Sequence, residues 1–216
     1  MIPDREECLR LMERHGMLEN IIVHSLEVTK VALFLSLELN QKGQTIDLRL
    51  VEAASLLHDI AKTICITTKE DHTQAGYHLL KEIGYERVGE VVAQHVWLKK
   101  EGDSSSVSEE EVVNYADKRV RHDQIVTLEE RFLDLKNRYG KDQRSIDYLN
   151  RLEKIIYGIE HKIFFILKIH PNDIQHLSQS SSSPLERRLR CDGSTSSPCC
   201  ILGLSKDQSN DKGKGI

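Results

Sequence analysis

Apolar residues recur along the chain at steps of three and four. Ile21, Val28, Val31, Ala32, Leu35 and Leu39 form one such series, and Val88, Val91, Val92 and Val96 form another. That period lines up one face of an α-helix and turns the intervening polar residues to water. Helices are accordingly predicted over residues 4–15, 20–40, 47–61, 71–83, 86–99, 109–122, 127–139 and 145–168. Asp47 and Asp71 are placed to cap two of them, and Gly43, Gly84, Gly102 and Gly140 stand at predicted ends. The four prolines lie at positions 3, 171, 184 and 198, so residues 4–170 contain none of the residue that breaks helices. The predicted fold class is all-α, a helical bundle over residues 1–177. Its last helix carries Leu149, Leu152, Ile156, Ile159, Ile163 and Ile166 in a near-heptad stripe. Such a stripe packs on its own domain or forms a homodimer seam through residues 145–168.

Composition changes the picture at the C-terminal end. Eight serines fall between Ser178 and Ser197, and the chain then runs through Lys206-Asp-Gln-Ser-Asn-Asp-Lys-Gly-Lys-Gly. So little apolar surface does not offset the entropy of ordering the segment, and residues 178–216 are predicted to be a disordered tail. The 30 Lys+Arg against 34 Asp+Glu give a net charge of -4, which lacks the basic excess expected of a nucleic-acid or membrane-surface binder. Neither partner is expected. The run Ile163 to Leu167 is too short to cross a bilayer, and the first residues lack an apolar leader, so a cytoplasmic location is expected. Cys8, Cys65, Cys191, Cys199 and Cys200 are odd in number without Cys-x-x-Cys spacing, which argues against a disulfide framework or zinc ribbon.

Among the ten histidines, position decides which matter. His24 sits beside the apolar stripe of its helix. His58 and Asp59 close the apolar segment Val51-Glu-Ala-Ala-Ser-Leu-Leu, and Asp117 lies on a helix whose buried side is marked by Val113 and Val120. Burying an imidazole beside a carboxylate costs several kcal/mol unless something compensates, and a divalent cation does so directly. Adjacent residues on a helix diverge by about 100°, so His58 and Asp59 reach one ion only where the helix ends. Two imidazoles and two carboxylates suit Mn, Fe, Zn or Mg better than Cu(I).

The order His24, His58-Asp59-Ile-Ala-Lys and Asp117 resembles the HD superfamily of metal-dependent phosphohydrolases, in the subgroup whose central motif reads His-Asp-Ile-Gly; Ala61 replaces the glycine. The likeness runs from about Asn20 to Val120. Asp71-His72-Thr-Gln-Ala-Gly and Gln94-His95-Val fall where binuclear members carry extra ligands. The resemblance therefore implies two divalent ions, Fe or Mn foremost and Mg, Co, Ni or Zn as alternatives. His24, His58, Asp59 and Asp117 would be the primary ligands, His72 and His95 would complete the second site, and Asp59 would bridge.

By the same resemblance Asp59 and Lys62 are the catalytic candidates, and Lys62, Lys118, Arg119 and Arg121 are candidates for gripping substrate phosphate. Two cations lower the pKa of a bound water and clamp a phosphoryl centre. The expected substrate is a nucleotide or another small phosphate mono- or diester. A cyclic dinucleotide is disfavoured, since Val96 follows His95 where phosphodiesterases of that kind place a second histidine, and Gly-Tyr-Pro is absent. A di-iron oxygenase with the same six ligands and a non-catalytic nucleotide-binding regulatory module are the competing readings.

Overall fold

The amphipathic periods fold as helices wrapped on a central one. The computed structural model describes residues 1–99 and 105–179, the side chains of Ser178 and Gln179 excepted; the predicted tail lies outside the described residues from Ser180 onward. The central helix, α2 (Glu19–Gln41), buries Val28, Val31, Ala32, Leu35 and Leu39, the stripe predicted for it. It packs against α3 (Leu48–Leu57) and α7 (Glu109–Lys118). Around these lie α1 (Arg5–Arg14), α4 (Lys62–Thr68), α5 (His72–Glu82), α6 (Glu86–Val92), α8 (Leu128–Tyr139) and α9 (Gln143–Leu167). The helix α2 is long and apolar enough to span a membrane by length and composition alone, a property the sequence pattern did not bring out, but most of that stretch is buried by its neighbours, as in the core helix of a bundle.

Local chemistry sets the helix starts. Asp47 accepts from the backbone N–H of Arg49 and Leu50, and Asp71 accepts from that of Thr73, as predicted. Ser108 with Glu111, and Thr127 with Glu130, close reciprocal capping boxes at the starts of α7 and α8.

Three boundaries differ from expectation. The helix predicted over 47–61 stops at Leu57, residues 58–61 turn, and α4 restarts at Lys62, so the helix ends four residues before the end expected at 61. The helix predicted over 86–99 stops at Val92. The one predicted over 109–122 stops at Lys118 and gives way to a hairpin, β1 (Val120–Arg121) with β2 (Gln124–Ile125), in register Val120 to Ile125. A 3-10 segment, Pro171–Gln179, also went unpredicted and runs two residues into the expected tail.

The α9 stripe is spent within the domain. Leu149, Leu152, Ile156, Ile159 and Ile163 are buried, and Ile166 is half-buried against the same core.

Candidate metal centre

All six predicted ligands converge. His24 comes from α2, Asp117 from the last turn of α7, and His72 is the first residue of α5. The other three lie where helices stop: His58 and Asp59 in the turn after α3, and His95 in the turn after α6. These helix ends, which come earlier than expected, are thus what let neighbouring residues aim at one place. His24, His58, Asp59, His95 and Asp117 are buried, and His72 is half-buried.

Asp59 stands at the centre with its two oxygens facing different partners. Oδ2 lies 3.4 Å from His58 Nε2 and 2.6 Å from Lys62 Nζ. Oδ1 lies 3.4 Å from His72 Nε2 and 3.5 Å from His95 Nε2, which are 3.2 Å from each other. His24, His58 and Asp59 thereby form one triad of donor atoms within 4.8 Å of one another, and Asp59, His72 and His95 form a second. Asp117 Oδ1 joins the first, 3.0 Å from His24 Nε2 and 3.7 Å from His58 Nε2.

The imidazoles are held by their outer nitrogens. His58 Nδ1 meets the Ser55 carbonyl at 2.7 Å, His95 Nδ1 the Val92 carbonyl at 2.7 Å, and His24 Nδ1 the His122 carbonyl at 3.0 Å. A carbonyl only accepts, so each Nδ1 carries a proton, and in the neutral ring Nε2 then presents a lone pair inward, the tautomer a metal requires. His58 Nε2 and Asp59 Oδ1 are buried without a hydrogen-bond partner. Leaving such groups unpaired costs about 1–3 kcal/mol each, which a cation bound among them removes. The donor set of nitrogen and carboxylate oxygen fits a divalent metal.

Electrostatics favour the ligand forms of the carboxylates. Burial pushes Asp59 up, but the neighbouring His58 and His95 imidazoles and the Lys62 ammonium together hold it well below the usual carboxylate range. Asp117 is held low in the same way, burial being outweighed by Lys118, His24 and His58. Burial, reinforced by His95, lowers His72 to about 4. Burial likewise lowers His95. His58 moves upward because Asp59 and Asp117 outweigh its burial.

The predicted phosphate-gripping cations separate. Lys62 stays at the centre, half exposed and 2.6 Å from Asp59. Lys118 is buried, its Nζ bonded to Asp117 Oδ2 and, at 3.2 Å, to the His95 carbonyl. It neutralises one candidate ligand and ties down the turn carrying another. Arg119 is fully buried elsewhere: Nε donates to the Val126 carbonyl at 2.7 Å, and Nη1 donates to Tyr115 Oη and to the Pro171 carbonyl. Only Nη2 is left without a partner, and it is buried with the rest of the side chain, so the assignment of Arg119 to phosphate is corrected to structural anchoring. Arg121 lies half-buried on β1, where its charge acts on Glu130 at the start of α8. The sequence reading missed the supports: the Ser55, Val92 and His122 carbonyls, and Asn114, whose amide donates to the Gln94 carbonyl at 2.8 Å. Main-chain acceptors leave no mark on residue type.

The family model for the HD domain matches residues 21–122, the stretch that holds all six converging residues. Over this stretch the chain is similar to HD domains. An uncharacterized protein of Methanocaldococcus jannaschii is 28% identical over 59% of this chain and 82% of its own length. A tRNA (cytidine(56)-2'-O)-methyltransferase of Picrophilus torridus is 30% identical over 60% of this chain but 40% of its own length. The corresponding Thermoplasma volcanium protein is 32% identical over 44% of this chain and 27% of its own length. The chain thus spans less than half of either methyltransferase. No solved structure matches.

Proposed function

We propose that this protein is a metal-dependent phosphohydrolase that cleaves a nucleotide or another small phosphate mono- or diester. The observation that carries this reading is the division of Asp59, whose oxygens face two separate groups of imidazoles while Oδ1 and His58 Nε2 lack partners. His24, His58, Asp59 and Asp117 would hold one divalent ion and Asp59, His72 and His95 a second. When bound, the ions supply a water acidic enough to attack at neutral pH and positive charge for the phosphoryl oxygens.

The chain's own residues do the rest. Asp59 is held in its ionised form, because His58 and then Lys62 outweigh the burial that opposes its charge. Burial opposes charge on Lys62, but Asp59 and then Asp117 outweigh it and raise its pKa. Its half-exposed side chain therefore presents a permanent ammonium at the mouth of the cluster, suited to orient a phosphate oxygen. Lys118 holds Asp117 and the His95 turn still, so that the cluster keeps its shape without moving.

The test is a panel of nucleotides, phosphomonoesters and phosphodiesters offered to metal-stripped protein resupplied singly with Mn, Fe, Co and Mg. Hydrolysis that depends on added metal is expected, and it should proceed without oxygen. Turnover that requires oxygen would replace the hydrolase with the oxygenase reading, and nucleotide binding without turnover would favour the regulatory module. Because two relatives are named for tRNA, a tRNA transcript belongs in the panel.

A further inference from the structure

Outside the metal cluster, a cavity of about 480 Å³ opens between α9 and the chain that follows His95. None of the six clustered residues lines it. One wall is Trp97 and Leu98, with Trp97 stacked on Tyr148 at 5.4 Å between ring centroids. The other wall is a face of α9 bearing Arg151, Lys154, Ile155, Gly158 and Lys162. Lys162 is committed to Glu111, with both carboxylate oxygens within 2.9 Å. Arg151 and Lys154, by contrast, have no ion pair or hydrogen bond among the described residues.

Gly158 is the telling position. A glycine inside a helix costs about 1 kcal/mol relative to alanine, and a packing conflict or positive φ ordinarily accounts for it. Neither applies here: a Cβ at Gly158 would meet no atom within 4 Å, and its φ is not positive. What the missing side chain does achieve is space on the cavity wall, beside two unpaired cations and opposite an indole.

We propose that this cavity is a second ligand site, separate from the metal cluster, that takes a planar aromatic body carrying a phosphate, the chemistry of a nucleoside monophosphate. The ring lies against Trp97 and the apolar Leu98 and Ile155, and the phosphate meets Arg151 and Lys154. The volume falls within the range of small-molecule pockets, about 300–1,000 Å³.

Trp97 is the chain's single tryptophan, so its fluorescence reports this site. Full-length protein is titrated with AMP, GMP, adenosine and inorganic phosphate. Saturable quenching by a nucleoside monophosphate with Kd below about 1 mM is expected, with adenosine and phosphate each about tenfold weaker or more. Arg151→Glu with Lys154→Glu should weaken binding at least about tenfold. Gly158→Leu should abolish quenching while the melting temperature holds or rises, and Asp59→Ala should leave quenching intact. The proposal is overturned if no ligand quenches saturably, or if quenching survives both the Gly158 and the charge-reversal variants. It is also overturned if Asp59→Ala removes quenching that Gly158→Leu retains, which would put the ligand at the metal cluster. No arm reads hydrolysis, so the outcome is independent of the catalytic proposal.

Discussion

The Nδ1 of His24 points at the backbone carbonyl of His122, 3.0 Å away, and His122 itself has a left-handed backbone with φ of 58°. A candidate metal ligand on the central helix is therefore oriented by the turn of a two-residue hairpin. The turn needs positive φ, which histidine tolerates better than most non-glycine residues. Arg138 on α8 steadies it by donating to His122 Nε2 at 2.8 Å. His122→Gly should preserve the carbonyl and hold stability within about 1 kcal/mol. His122→Val, whose β-branched side chain resists this conformation, should cost about 1–2 kcal/mol and weaken metal binding about tenfold or more. Urea denaturation and metal competition with a chelator measure the two effects. Equal behaviour of the two variants would deny the turn any orienting role.

Asp59 is the residue shared by both donor triads. Asp59→Ala should therefore release metal from both positions and abolish hydrolysis, whereas His72→Ala should lower bound metal mainly at one. Elemental analysis of purified variants decides this. Full metal content in Asp59→Ala would refute the shared arrangement.

Of the six converging residues, His24, His58, Asp59 and Asp117 were legible because their types are rare in apolar surroundings, and His72 and His95 through their place in the order the resemblance supplies. The α2 stripe was legible for a related reason, since burial over many turns leaves a period. What the sequence hid was where helices stop. His58 and Asp59 follow Leu57 in an unbroken helical pattern with no glycine or proline, so nothing local announced the turn through residues 58–61. The hairpin was hidden likewise, because its turn uses His122-Asp123 in place of the Asn-Gly that normally signals one. Arg119 shows the opposite failure: its place beside Asp117 suggested substrate, while the burial that makes it an anchor is a property of the fold.

That anchor has a measurable cost of removal. Arg119→Met leaves Glu160 and Tyr115 without their buried cation and frees the Val126 and Pro171 carbonyls. Breaking one side of a buried ionic network typically costs about 3–5 kcal/mol. Denaturant midpoints should fall accordingly while metal content per folded molecule stays unchanged. A variant of unaltered stability but raised KM would restore Arg119 to the substrate.

With metal chelated, the histidines should make stability depend on pH in a defined window. His72 titrates near 4 when folded, against an ordinary value of 6.5, and His95 is also lowered. The unfolded chain then binds more protons than the folded one between about pH 4 and 6.5, so stability rises with pH across that window. His58 works the other way, its raised pKa giving stability that is present below 6.5 and lost above it. Asp59 and Asp117, both held low, add stability that is present above about 4 and lost as pH falls further. His72→Gln should flatten the rise by about 1–3 kcal/mol. Denaturation at pH 4.5 and pH 7, values chosen about the edges of that window, reads the difference. An unchanged slope in His72→Gln would show that this imidazole is not held neutral by its surroundings.

The approach of His72 to His95 depends on how closely α5 and α6 pack, and glycines set that distance. A Cβ at Gly89 would lie 3.0 Å from the Tyr77 carbonyl oxygen and 3.1 Å from its ring, and one at Gly76 would lie 3.1 Å from Val92. The Tyr77 carbonyl belongs to the backbone of α5 and yields only if the helix moves. Gly89→Ala should therefore cost about 1–3 kcal/mol in spite of alanine's better helix propensity. It should also displace His72, at the start of α5, from His95, just past α6, and so weaken metal binding at the Asp59, His72 and His95 triad more than at the His24 side. Gly43→Ala is a control for glycine replacement as such, since its φ of 89° strains an alanine but nothing lies within 4 Å of a Cβ there. Loss of stability in both variants, with metal affinity lowered only in Gly89→Ala, would connect the spacing of α5 and α6 to the metal centre; equal metal affinity in the two would sever that connection.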